Sequence, residues 1–168
     1  MSMASDFLSE FEREAKVTRK FLERIPDDKL TWKAHEKSMS VGELALHMAM
    51  FPGPVTKMSL VDVFPAPSFG TPRPQPESVA QILKTFDENV VMVKELLPTI
   101  TDQQMSEMWC MKAGDQVIMQ MPRSGVIRYV LLNHTYHHRG QLGVYLRLLG
   151  AKVPAAYGPS GDEGPGGE

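Results

Sequence analysis

The last third of the chain carries a long apolar stripe at helical spacing with imidazoles set into its middle, and no fold can bury that stripe without finding partners for them. Taking Ser124 to Leu149 as one helix that advances about 100° per residue places Ile127, Val130, Leu131, Tyr145, Leu148 and Leu149 within about 60° of His134. His138 and Gln141 share that sector, and Leu142 lies just outside it. Arg128, Arg139 and Arg147 point away, towards expected solvent. An unpartnered polar group on the buried face costs on the order of 1 to 3 kcal/mol. A neighbouring element therefore has to offer hydrogen bonds or a shared metal ion.

Three further helical stripes are available to pack against it. Phe7, Phe11, Val17, Phe21 and Leu22 repeat at close to helical spacing from about Ser5 or Asp6 until Pro26. Ser40 with Glu43 forms a capping box that starts a second helix through His47 to Phe51, where Pro52 to Pro54 stop it. Val79, Ile82, Leu83, Phe86, Val90, Val93 and Leu97 line a third helix from about Pro76 to Pro98. Between the second and third, the prolines at 65, 67, 72 and 74 read as a long crossover. Thr101 is placed to cap a short turn, and Met108 to Met121 alternates loosely around Gly114 in a way compatible with a small hairpin. Gly150 sits where a helix C-terminal residue is expected. The pattern predicts an all-α four-helix bundle with a long crossover between helices 2 and 3, a single domain over residues 1–157, and a flexible Gly, Pro and acid-rich tail over 158–168.

A chain of 168 residues suits one domain. A net charge of −2 gives no electrostatic reason to expect nucleic acid or an acidic membrane surface. No run approaches the roughly 18 apolar residues that cross a bilayer, and no secretory leader pattern opens the chain. Cys110 has no internal partner for a disulfide, so a cytoplasmic location is the expectation. Glu-x-x-His pairs of the di-iron bundles are absent, because Leu46 follows Glu43 by three positions.

His134 and His138, four apart, have Cβ atoms roughly 6 Å apart on one face, within reach of a common ion at about 2.0 to 2.1 Å. His47 is the available third ligand, because Leu44 and Phe51 share its side of the second helix. Three neutral imidazoles leave a dication's charge uncompensated and its remaining positions open, the pattern of catalytic or ligand-exchanging sites. Hydrogen bonding within the core is the competing explanation. His137 lies about 60° off the stripe centre and reads as a pocket residue, while His35 reads as solvated. Glu43 is accounted for by its capping box, Tyr145 packs or hydrogen-bonds along the stripe, and Cys110 beside Trp109 reads as a core residue. Gly140 and Gly143, opposite the stripe, leave room for a close helix approach or a homodimer contact.

The run His134-Thr-Tyr-His137-His138-Arg139-Gly140-Gln141-Leu142, followed by Tyr145-Leu146-Arg147 and Gly150, resembles the C-terminal signature of the DinB/YfiT-like superfamily. Ser40 to Leu44 with His47, Met121-Pro122-Arg123, Val153-Pro154 and Tyr157-Gly158 agree with the same resemblance, which spans nearly the whole chain. It implies a four-helix bundle, often dimeric, with a divalent metal, typically nickel or zinc, on His47, His134 and His138. Some branches of that superfamily use low-molecular-weight thiols as cosubstrates. The expectation is a metal-dependent enzyme acting on a small molecule, a thiol S-transferase or hydrolase, with His137, Gln141 and Tyr145 as candidate catalytic residues. The alternative is a non-catalytic metal or small-ligand binding protein of the stress response.

Overall fold

The structure, a computed structural model, describes residues 2–67, 70 and 72–164. Helix α1 (Met3–Glu23) is capped by Ser2, and its buried Phe11, Ala15, Thr18, Phe21 and Leu22 face the core. A turn of 3₁₀ helix over Asp27–Lys29 leads to α2 (Val41–Met50), whose capping box between Ser40 and Glu43 is formed in both directions. Pro52 does not begin an irregular crossover. It occupies the first turn of α3 (Pro52–Met58), where a missing N–H costs nothing. After a short strand β1 (Val63–Pro65), Ser78 caps α4 (Val79–Leu96), which buries Ile82, Phe86 and Val93.

Thr101 and Gln104 form a second capping box on α5 (Asp102–Ser106). Strands β2 (Met108–Ala113) and β3 (Gln116–Pro122) pair antiparallel around Gly114, whose φ of +58° suits a residue without Cβ, and β1 pairs parallel with β2. The fold is thus mixed α and β, and the expected all-α four-helix bundle is corrected by this three-stranded sheet and by α3 and α5. The physical reason lies in a long-range parallel pairing, Val63 opposite Cys110, which a three-residue strand among prolines does not announce.

The final helical stretch is also compound. A turn of α6 (Arg123–Gly125) runs into a π-helical segment over Val126–Asn133, then α7 (His134–Leu148), with Gly150 in the left-handed region at φ +71° just beyond. On an ideal α-helix Leu132 would lie about 160° from His134, yet it is fully buried, so the buried side changes along this stretch. Helices α1, α2, α4 and α7 share one core, and a smaller cluster of Met58, Trp109 and Val126 joins α3, the sheet and the π segment.

Arg139 corrects the expectation that it points to solvent. It is 3% exposed, donating to the Glu14 carboxylate at 2.7 Å, to Thr18 Oγ1 at 3.3 Å and to the Tyr157 hydroxyl. Residues 158–164 of the stretch read as a tail fold back on the helices: Glu163 receives Arg24 and the Ala155 N–H, and Asp162 receives Arg147 and the Val153 N–H. Residues 165–168 of that stretch lie outside the described residues. Among the described residues no helix is long and apolar enough to cross a membrane.

Candidate metal centre

Helix α2 is almost entirely buried, and His47 is its one half-buried imidazole, set one turn before Phe51. Helix α7 packs against it and offers His134 at its first position and His138 one turn later. The three rings meet through the same atom. His47 Nε2 and His138 Nε2 each stand 2.9 Å from His134 Nε2. His138 Nδ1 lies 2.7 Å from the Gln141 amide oxygen, which can only accept, so the proton of neutral His138 sits on Nδ1 and its Nε2 carries a bare lone pair. Phe51 walls one side, its ring centroid 4.8 Å from that of His134 and 5.9 Å from that of His47.

Hydrogen bonding alone does not satisfy this cluster. His134 Nε2 has one in-plane position, holding either a proton or a lone pair, so it serves one neighbour well and not both. Protonated, it can only share its N–H between two bare lone pairs in a bent three-centre bond; bare, it faces the lone pair of His138 Nε2 at 2.9 Å. A cation between the nitrogens removes the conflict. Ligand nitrogens about 2.9 to 3.4 Å apart are what bonds of about 2.0 to 2.1 Å give at angles between roughly 90° and 110°. The donor set therefore fits a divalent transition metal.

The electrostatics favour the deprotonated form that ligation requires. Burial, then the neighbouring positive charge of His138 and Arg73, lowers His47 to about 4. Burial, followed by His138, His47 and His137, lowers His134 to about 4. His138 is also lowered, by burial first, although its bond to Gln141 opposes the shift. The one grouping of histidine, cysteine and carboxylate side chains with metal-binding spacing among the described residues consists of these three imidazoles alone. A dication held by these residues would keep its charge uncompensated and leave room for an exchangeable ligand.

The other expected site residues separate clearly. His137 is exposed at the rim, its ring 4.9 Å from that of His138. Gln141 orients His138. Tyr145 donates its hydroxyl to the Met39 carbonyl at 3.3 Å and packs edge-on to Trp32, a structural placement. The Glu43 carboxylate accepts the Ser40 N–H at 2.6 Å and stands 3.6 Å from Lys33 Nζ, which keeps it below the usual carboxylate range. His35 is exposed, accepting the Lys37 N–H, and Cys110 is half-buried on β2 away from the trio. Sequence reasoning placed Phe51 on the His47 side of its helix without reading it as a wall of the site, and it missed Arg73, which had no local signal.

The DinB family profile matches residues 1–165. The chain belongs to the DinB family. This family member is 29% identical over 158 residues to YrdA of Bacillus subtilis strain 168, described as an uncharacterized protein, covering 94% of this chain and 89% of that protein. Its fold is similar to a crystal structure of a DinB-like protein from Bacillus cereus ATCC 10987, with TM-score 0.69, 25% identity, and coverage of 90% of this chain and 95% of the other. A DinB-like protein of Bacillus subtilis, YjoA, shares the fold with TM-score 0.66 at 22% identity over 90% of this chain and 96% of that one. The DinB fold with a buried histidine triad able to coordinate a metal is thereby established for the chain.

Proposed function

We propose that this DinB-family protein is a metal-dependent enzyme in which His47, His134 and His138 hold a divalent ion, nickel or zinc, for thiol S-transfer to, or hydrolysis of, a small molecule. One observation carries the reading: three imidazoles converge by their Nε2 atoms, two of them 2.9 Å from the third, with no acid among them. When bound, the ion supplies Lewis-acid chemistry, lowering the pKa of a coordinated thiol or water so that a nucleophile exists at neutral pH. The chain's own groups do the rest. Gln141 Oε1 keeps the His138 proton on Nδ1 and so keeps its Nε2 free to ligate. Phe51 shields one side of the trio from water. His137, exposed beside His138, takes the released proton at a ring nitrogen and passes it to solvent.

The protein works in the cytoplasm, as a dimer through the Gly140 and Gly143 face of α7, where exposed Val144 and Leu148 border an apolar groove; sedimentation at micromolar concentration tests the dimer. The decisive experiment pairs elemental analysis of untagged protein with consumption of a small thiol and an electrophile. Stoichiometric metal and turnover that vanish together in His134→Ala/His138→Ala support the reading, and turnover that survives in that variant defeats it. Metal-replete protein that is stabilised by thiols but consumes none is instead a binding protein.

A further inference from the structure

The connection between β1 and α4 brings a cation to the mouth of the histidine trio. Arg73 lines, with Glu43, His47, Met50 and Pro74, a cavity of about 150 Å³. Its charge reaches both His47 and His138. The backbone that carries it is stiff and anchored. Pro72 and Pro74 have φ locked near −65°, and a residue before proline, as Arg73 is, favours an extended conformation. Just downstream, Gln75 Nε2 donates to the Leu30 carbonyl and Gln75 Oε1 accepts from Ser40 Oγ, each at 2.9 Å, and Pro76 is buried. Gly42 makes room for this anchor, since a Cβ there would stand 2.5 Å from Gln75 Nε2 and 2.7 Å from the Leu30 carbonyl oxygen.

Among the described residues Arg73 makes no ion pair. The carboxylate that shares its cavity, Glu43, is held by the Ser40 N–H and by Lys33. With a dication on the three neutral imidazoles, Arg73 would leave this mouth positive even with Glu43 counted, and one planar guanidinium fork matches the two oxygens of a carboxylate. A phosphate dianion would ask for more donors than this one side chain offers.

We propose that Arg73 anchors a carboxylate on the small molecule that enters the histidine centre, so that the substrate is an organic acid whose reacting group and carboxylate lie within one small cavity. This rests on the metal-centre reading above. Arg73 is the specificity residue, and Gln75, seated against Gly42, positions it.

Cobalt(II)-loaded protein tests it, through the sulfur-to-cobalt absorption band, with 3-mercaptopropionate and its neutral isostere 3-mercaptopropionamide. The wild type binds the acid about tenfold more tightly than the amide, as one charge-assisted bond at an exposed site requires. Arg73→Gln, an exposed substitution, abolishes that preference while its amide affinity and cobalt spectrum stay unchanged. Gly42→Ala, by displacing Gln75, reduces the preference with the cobalt spectrum unchanged. Loaded wild-type protein with no preference for the acid overturns this proposal alone, as does a preference that survives in Arg73→Gln. Wild-type protein that takes up no cobalt overturns the metal reading and this proposal with it.

Discussion

His138 and Arg139 are adjacent on α7 and almost equally withdrawn from water, at 7% and 3% exposure, yet their surroundings are opposite in kind. Arg139 faces α1 and the C-terminal segment, where the Glu14 carboxylate neutralises its charge and Thr18, Tyr157 and the Glu14 carbonyl take its N–H groups. Both terminal nitrogens of the guanidinium meet acceptors, and its charge is neutralised. His138 faces His47 on α2, and its other company is His134 and the Gln141 amide oxygen of its own helix. Closed valence marks a polar cluster that holds a fold together, and open valence marks one that waits for a ligand. Burial of a polar group does not tell these apart; the match of donors to acceptors does.

The sharpest break of the comparison removes the open cluster. His134→Ala/His138→Ala is expected to lose stoichiometric divalent metal altogether, by elemental analysis, while the far-UV circular dichroism stays that of the wild type. Next in size, Arg139→Ala strands the Glu14 carboxylate and should cost about 3 to 5 kcal/mol in urea denaturation, with the metal content of the folded protein unchanged. Gln141→Ala should weaken metal affinity about 10- to 100-fold in a chelator competition, because His138 loses the bond that fixes its proton. Its effect on unfolding free energy should stay within about 0.5 kcal/mol, since Gln141 is exposed.

A separate readout is the pH dependence of metal-free protein. His47 and His134 titrate near 4 when folded, against an ordinary value of 6.5, so the unfolded chain binds more protons between those limits. Stability is then full above about pH 6.5 and falls as the pH drops towards about 4. Thermal melts across that window should show a shallower decline in the double alanine variant, and an equal decline would show that the imidazoles are not held neutral.

Much of this was legible in the sequence because it depends on local rules. The capping box at Ser40, the cap at Thr101 and the stripe on α4 follow from spacing alone. Convergence of His47 with His134 and His138 was readable because each sits on the apolar side of its own helix. Arg139 was misread because a helical wheel knows the angle of a side chain and not that α1 and Tyr157 will cover it. The hairpin of β2 and β3 around Gly114 was legible, but its third strand was missed because β1 has three residues and pairs with a strand more than forty positions away. Arg73 was invisible for a similar reason: its place is set by Gln75 reaching Leu30 and Ser40.

The π-helical segment ahead of His134 has a consequence for how this chain tolerates changes in length. Each i→i+5 turn takes up one residue more than an i→i+4 turn, so Val126–Asn133 acts as a phase adjuster between two stretches that answer to different neighbours. Val126 is timed to meet Met58 and Trp109, while His134 and His138 are timed to meet His47. Deleting one residue from this segment and letting it close to regular α-helix would keep both stretches in phase, since the i→i+5 turn already holds one residue extra. A deletion in the regular α-helix of α7 between His134 and His138 has no such reserve and turns one ligand about 100° from the other. The segment ahead of the triad is therefore where the chain can give up a residue and still bring its three imidazoles together.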